Sequence, residues 1–252
     1  MAVGTFLGLV LAGVGAGLVG SVAGLASLIS YPALLAAGLP PVSANVTNTV
    51  SLIFQGIAST HGSLPELRGE RQRQLIRRLL VWAVLGGVIG GVLLLRTPSD
   101  AFAKIVPVLI AGSSLAVLFR PRALPIGHAP AKETLELRVG VFLIGIYGGY
   151  FGAAAGVMLM ALLLTLTGET LARSSAVRTV LLSSANAVAA GYFIAFGDVR
   201  WAFVLPLALG LLVGGRTGPV LLRHAPAGPM RVLIALTGLG LAVRLGLNAY
   251  VS

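Results

Sequence analysis

Eight apolar stretches follow one another along this chain, at about residues 3–29, 42–61, 79–95, 101–119, 139–166, 172–196, 199–222 and 229–248. A helix needs roughly 20 such residues, rising about 1.5 Å each, to cross the hydrocarbon of a bilayer. Lipid offers no hydrogen-bond partners, so a spanning segment must satisfy its backbone internally, as a helix does. No soluble domain buries this much: 57% of the 252 residues are hydrophobic and 10% are charged. The expected fold class is an all-α polytopic membrane protein with about eight transmembrane helices, multi-pass in the cell inner (plasma) membrane. The first and fifth stretches are the longest and carry glycine in their middles, so those two helices are expected to be broken or re-entrant.

The two halves of the chain read as copies. A shift of 132 positions places Gly13, Gly17, Gly20 and Gly24 on Gly145, Gly149, Gly152 and Gly156, and Ala44, Thr47 and Ser51 on Ala176, Thr179 and Ser183. A slightly smaller shift pairs Gly87, Gly91, Arg96 and Lys104 with Gly214, Gly218, Arg223 and Arg231. The expectation is two duplicated four-helix halves, residues 1–119 and 139–252, joined by a cytoplasmic linker at 120–138. An even number of crossings per half favours parallel halves, with an inverted arrangement as second choice.

The formal charge of +11 is carried mostly by residues that flank apolar segments, as the positive-inside bias produces. No nucleic-acid partner is therefore expected. Arg68, Arg71, Arg73, Arg77, Arg78, Arg120, Arg122, Lys132, Arg138, Arg200 and Arg244 assign to one side, against Arg96, Lys104, Arg173, Arg223 and Arg231 on the other. On that count both termini are expected to be cytoplasmic, with Trp82 and Trp201 in an interfacial belt on the basic side.

Three features point toward an anion. The glycine ladders let backbones approach closely, and a duplicated broken helix would bring exposed N–H groups to the bilayer centre. The break at Gly38 to Pro41 starts a helix dotted with Asn45, Thr47, Asn48, Ser51 and Gln55, and Ser175, Arg178, Thr179 and Ser183 hold comparable places in the second half. Arg178 lies about two turns into an apolar segment, where a guanidinium is expensive without a cavity, partner or ligand. All seven acids fall in or beside loops, which leaves an anionic ligand as a fitting counter-charge; snorkelling to the interface is the alternative. For the hydroxyls and amides, bonding to neighbouring helices competes evenly with a ligand role. Arg216 raises the same question more weakly.

No cysteine is present, and His61, His128 and His224 make no metal-binding spacing. Neither metal nor cofactor is expected. No nucleophile motif or oriented histidine is visible, so no enzyme is expected.

Together the glycine-rich first helix, the break GLPPVSANVTN at Gly38 to Asn48, the Ala-x-x-Thr at Ala176 to Thr179 and the GDVRW at Gly197 to Trp201 resemble the sulfite exporter TauE/SafE family, over essentially the whole chain. The resemblance implies a permease for sulfite, organosulfonates or other small anions. It carries Ala44, Thr47 and Asn48 over as a family element, with Val180 replacing the second asparagine. Where members show consecutive glycines, this chain reads Ser21-Val22-Ala23-Gly24, which adds Ser21 to the candidates. The leading expectation is a secondary carrier or facilitator whose partners are a small anionic substrate and membrane lipid. A channel-like or non-transporting membrane protein of the same fold is the alternative, and the glycine faces are compatible with a homodimer.

Overall fold

A computed structural model describes residues 2–118, 134–222 and short pieces between 236 and 247. Among the described residues the chain is helical, with no strand. The first apolar stretch splits. Helix α1 (Val3–Ala23) stops where Gly24 turns left-handed, at φ 75°, and its N–H closes on the Gly20 carbonyl at 2.8 Å, the stop that glycine permits without a Cβ clash. After a two-residue gap, α2 (Ser27–Ala36) carries the chain to Gly38, and Pro41 opens α3 (Pro41–Gly62) at the one helical turn where proline loses no hydrogen bond. A short turn, α4 (Leu64–Leu67), leads to α5 (Glu70–Arg96) and α6 (Ser99–Leu118).

The fifth stretch splits in the same manner. Helix α7 (Leu135–Tyr150) is capped by Thr134, whose side chain accepts from Leu137 N, and it ends at Phe151. Gly152 and Ala154 turn left-handed, at φ 73° and 59°, before α8 (Ala155–Thr167). Helices α9 (Leu171–Phe196) and α10 (Trp201–Leu222) follow. The last apolar stretch, 229–248, and the linker lie largely outside the described residues. Helices α1, α5, α9 and most of α10 are long and apolar enough to cross a membrane. Large apolar side chains such as Leu11, 72% exposed, cover the outside.

Glycine contacts fix the direction in which neighbours run. Along α1, Gly13 meets Leu207 to Leu211, Gly17 meets Gly214 and Gly215, and Ser21 meets Gly218, so α1 and α10 are parallel. Helix α3 runs the same way, with Ser43 beside Asp198, Ser59 beside Gly215 and Gly62 beside Pro219. On the opposite heading, α5 lies parallel to α7 through Gly86 against Gly145 and Gly90 against Gly149, and parallel to α9 through Gly87 against Ala185 and Gly91 against Ala189. These backbones touch because neither carries a Cβ: one added to Gly17 would lie 2.7 Å from Gly215 N.

Two expectations are corrected by these headings. Helices α1 and α3 start at the same end of the bundle, so the α1–α2 pair enters and leaves by one face and contributes no net crossing. The α7–α8 pair enters and leaves by the opposite face, beside Arg71. The even count behind parallel halves therefore fails, because each long apolar stretch is a hairpin and not a span. The basic count changes too. Arg173 shares the Arg71 end through their common partner Glu169, whereas Arg200 and Trp201 sit at the Ser43 end with Asp198. The start of α1, level with Trp201, lies at the end opposite Arg68 to Arg78, and Trp201 does not share the Trp82 side.

Candidate functional site

The two broken hairpins meet tip to tip. A Cβ on Gly24 would lie 2.5 Å from the Gly156 Cα, and one on Gly156 would lie 2.8 Å from the Gly24 oxygen. Around this crossing is a cavity of about 60 Å³, lined by Gly20, Gly24, Gly152 and Gly156 of the hairpins and by one polar face each of α3 and α9. One water needs about 10–15 Å³ of such space, so the cavity has room for a small solute.

Among the described residues, Arg178 is the one charged side chain in the lining of this cavity. It is 2% exposed, and its Nη2 donates to Ser21 O (2.7 Å), Ser175 Oγ (3.1 Å) and Gly20 O (3.4 Å). The two carbonyls belong to the last turn of α1, where the helix dipole favours a cation. Thus α9 supplies the cap that lets α1 end inside the bundle. The other terminal nitrogen, Nη1, faces the break, 3.1 Å from where a Gly24 Cβ would stand. The corresponding carbonyl of the second break, Ala153 O, has a neutral cap instead. It accepts from Ser113 Oγ (2.8 Å) and Tyr147 Oη (2.7 Å), which are themselves 2.7 Å apart.

Of the residues expected from sequence, Gln55, Arg178, Thr179 and Ser183 line the cavity. The others are engaged around it. Asn48 ties α2 to α3, accepting from Ser30 Oγ (2.5 Å) and donating to Ser27 Oγ (3.2 Å). Asn45 donates to Tyr150 O (2.8 Å), steadying the end of α7, and Thr47 Oγ1 accepts from Arg200 N (3.1 Å). Ser51 bonds back to Thr47 O within its own helix. Ser175 receives Arg178, and Ser21 joins α1, α3 and α10 through Gly17 O, Ser59 Oγ and Gly215 O. Ser27, Ser59 and Asn186 line the cavity without having been expected. Helical spacing was the available signal: Ser59 follows Gln55 by four positions, and Asn186 follows Ser183 by three, which puts each on its neighbour's face.

A charged cluster sits at each end of the bundle, one on the α7–α8 hairpin and the other between α3 and the α9–α10 turn. At one end Glu169, with 4% of its side chain exposed, sits 2.9 Å from Arg71 Nε and 3.6 Å from Arg173, while Arg71 also donates to Thr167 O at the close of α8. At the other end Ser43 donates to Asp198 (2.9 Å), which pairs with Arg200 (2.8 Å).

This arrangement has relatives. The chain is 30% identical over 234 residues to a probable membrane transporter protein, ORF9, of Sinorhizobium sp, covering 91% of this chain and 88% of that one. A probable membrane transporter protein of Haemophilus influenzae is 28% identical over 212 residues, covering 81% of this chain and 79% of the relative. The probable membrane transporter protein YfcA of Escherichia coli K12 is 26% identical over 234 residues, covering 91% and 85%. No solved structure matches at comparable significance. The sequence pattern of the sulfite exporter TauE/SafE family matches residues 9–245, nearly the full length. The chain belongs to the sulfite exporter TauE/SafE family, whose relatives above are named as membrane transporters.

Proposed function

We propose that this protein moves a small sulfur-containing anion, sulfite or an organosulfonate, across the cytoplasmic membrane as a secondary carrier or facilitator. The observation that carries the reading is Arg178, a buried cation lining a cavity at the tips of two broken helices with no acid in that lining. A charge held at that depth favours an anion as its mobile counterpart. Gln55, Ser183, Ser27 and Asn186 supply neutral donors around it, while the Thr179 and Ser59 hydroxyls donate to Ser175 O and Gly215 O.

The architecture that goes with this function is a duplicated unit, α1 to α6 and α7 onward, related by inversion. Opposed headings of α1 and α7 and of α3 and α9 support it. An inverted repeat gives two equivalent states that differ in which end is open. The Glu169 cluster and the Asp198 cluster are then the two gates, and their alternation exposes the site to each side in turn. By the positive-inside bias the end bearing Arg68, Arg71, Arg73, Arg77, Arg78, Arg138 and Arg173 is cytoplasmic, as is the 120–138 linker. That places the start of α1 outside.

The test is uptake of labelled sulfite by proteoliposomes preloaded with unlabelled sulfite. A carrier gives saturable counterflow. Protein of native helix content that exchanges no faster than empty liposomes would refute the proposal.

A further inference from the structure

We infer that the cavity at the hairpin tips selects a singly charged anion and excludes doubly charged ones. The inference rests on the anion-carrier reading above and sharpens it. Among the described residues lining the cavity, Arg178 supplies the only full charge. The helix dipoles add little net charge, because the break sets the C-terminal end of α1 beside the N-terminal end of α2, and the end of α7 beside the start of α8. Opposite partial charges of about half an elementary charge then lie together. The Gly20 and Ser21 carbonyls turned onto Arg178 are the negative end of α1.

Charge scaling decides the selection. Desolvation grows with the square of the ionic charge, so a dianion costs about four times what a monoanion of equal size costs to dehydrate. Its attraction to a single guanidinium grows only about twofold. The remaining lining groups are neutral: the Ser59 and Thr179 hydroxyls donate to Gly215 O and Ser175 O, while the Ser27 and Ser183 hydroxyls and the Gln55 and Asn186 amides can both donate and accept. They suit an oxyanion that still carries a proton or an uncharged substituent, and they bring no second full charge to offset the desolvation of a dianion.

Methanesulfonate and sulfate test this directly, since they share a tetrahedral shape and differ by one charge. Each is titrated as a competitor of labelled-sulfite counterflow in proteoliposomes. Methanesulfonate is expected to inhibit at a concentration at least about tenfold lower than sulfate, equivalent to about 1.4 kcal/mol. A second cation built into the wall, Asn186→Lys, is expected to narrow that ratio by strengthening sulfate. Sulfate inhibiting as well as methanesulfonate, or saturable flux that neither anion inhibits, would overturn the charge selection and leave the carrier reading standing. Absence of any sulfite counterflow would overturn both. Should the lysine variant not fold, the wild-type ratio alone decides.

Discussion

Replacing Gly156 with alanine tests whether the two hairpin tips must touch. The added methyl would stand 2.8 Å from the Gly24 oxygen and 3.0 Å from its carbonyl carbon. Carbon atoms in contact prefer about 3.5–4.0 Å, so the tips would have to separate, and both obstacles are backbone with no rotamer to yield. Overpacking of this kind costs about 1–3 kcal/mol. Gly24→Ala meets the same obstacle from the other side and adds a left-handed residue, φ 75°, for about 1–2 kcal/mol more. Gly15→Ala is the control: it lies in α1 with nothing within 4 Å of a Cβ, and alanine in a helix interior gains about 0.5–1 kcal/mol over glycine. Unfolding of the purified protein in mixed micelles, followed by circular dichroism, should therefore rank Gly15→Ala above wild type, then Gly156→Ala, then Gly24→Ala. Gly156→Ala should also depress sulfite counterflow, because separated tips reshape the cavity they enclose. A Gly156→Ala protein within about 0.5 kcal/mol of Gly15→Ala, with unchanged flux, would show that the close approach is not required.

Four further outcomes follow from the same contacts. Arg178→Ala leaves Ser21 O and Gly20 O without their cation and should cost about 1–3 kcal/mol in the same unfolding assay, while Arg178→Lys, which keeps the charge, should recover part of any lost flux. Tyr147→Phe and Ser113→Ala weaken the neutral cap on Ala153 O and should each cost about 0.6–1.7 kcal/mol, with anion competition largely retained. Glu169→Gln should cost only about 1 kcal/mol, since Arg71 and Arg173 are each about half exposed, but should shift accessibility of the cavity toward the Arg71 end, read by cysteine labelling at Ser183. Because the native chain has no cysteine, Val3→Cys and Arg73→Cys can be compared in sealed vesicles with an impermeant thiol reagent; opposite accessibility is expected, and labelling from the same side would refute the inverted arrangement.

Much of this bundle was legible from residue types. Gly24 and Gly152 stand where α1 and α7 end because glycine in a long apolar run is cheap as a stop and costly as helix. Arg178 was legible because an arginine in an apolar segment needs a reason. What composition could not show was direction. Residues 3–29 read from length and glycines as broken or re-entrant, and the contact of Gly13 and Gly17 with α10, with Asn48 holding Ser27 and Ser30, reveals that the chain turns back to the end it started from. That single reversal alters every later side assignment. Nor does a polar residue type disclose its partner. Asn45, Thr47 and Asn48 have the chemistry of a binding site, yet Asn45 and Asn48 hold the hairpins and Thr47 holds the α9–α10 turn, whereas the less conspicuous Ser59 and Asn186 reach the cavity through helical spacing.

The central claim is that an anion crosses the membrane through the cavity beside Arg178. Counterflow of labelled sulfite, measured in parallel for wild type, Arg178→Lys and Arg178→Ala in proteoliposomes of matched protein content and helicity, tests it most directly. Saturable flux is expected in wild type, weakened flux in the lysine variant and flux at the empty-liposome level in the alanine variant. Wild-type flux undiminished by Arg178→Ala would contradict it, because the anion would then be passing by a route that does not involve the buried arginine.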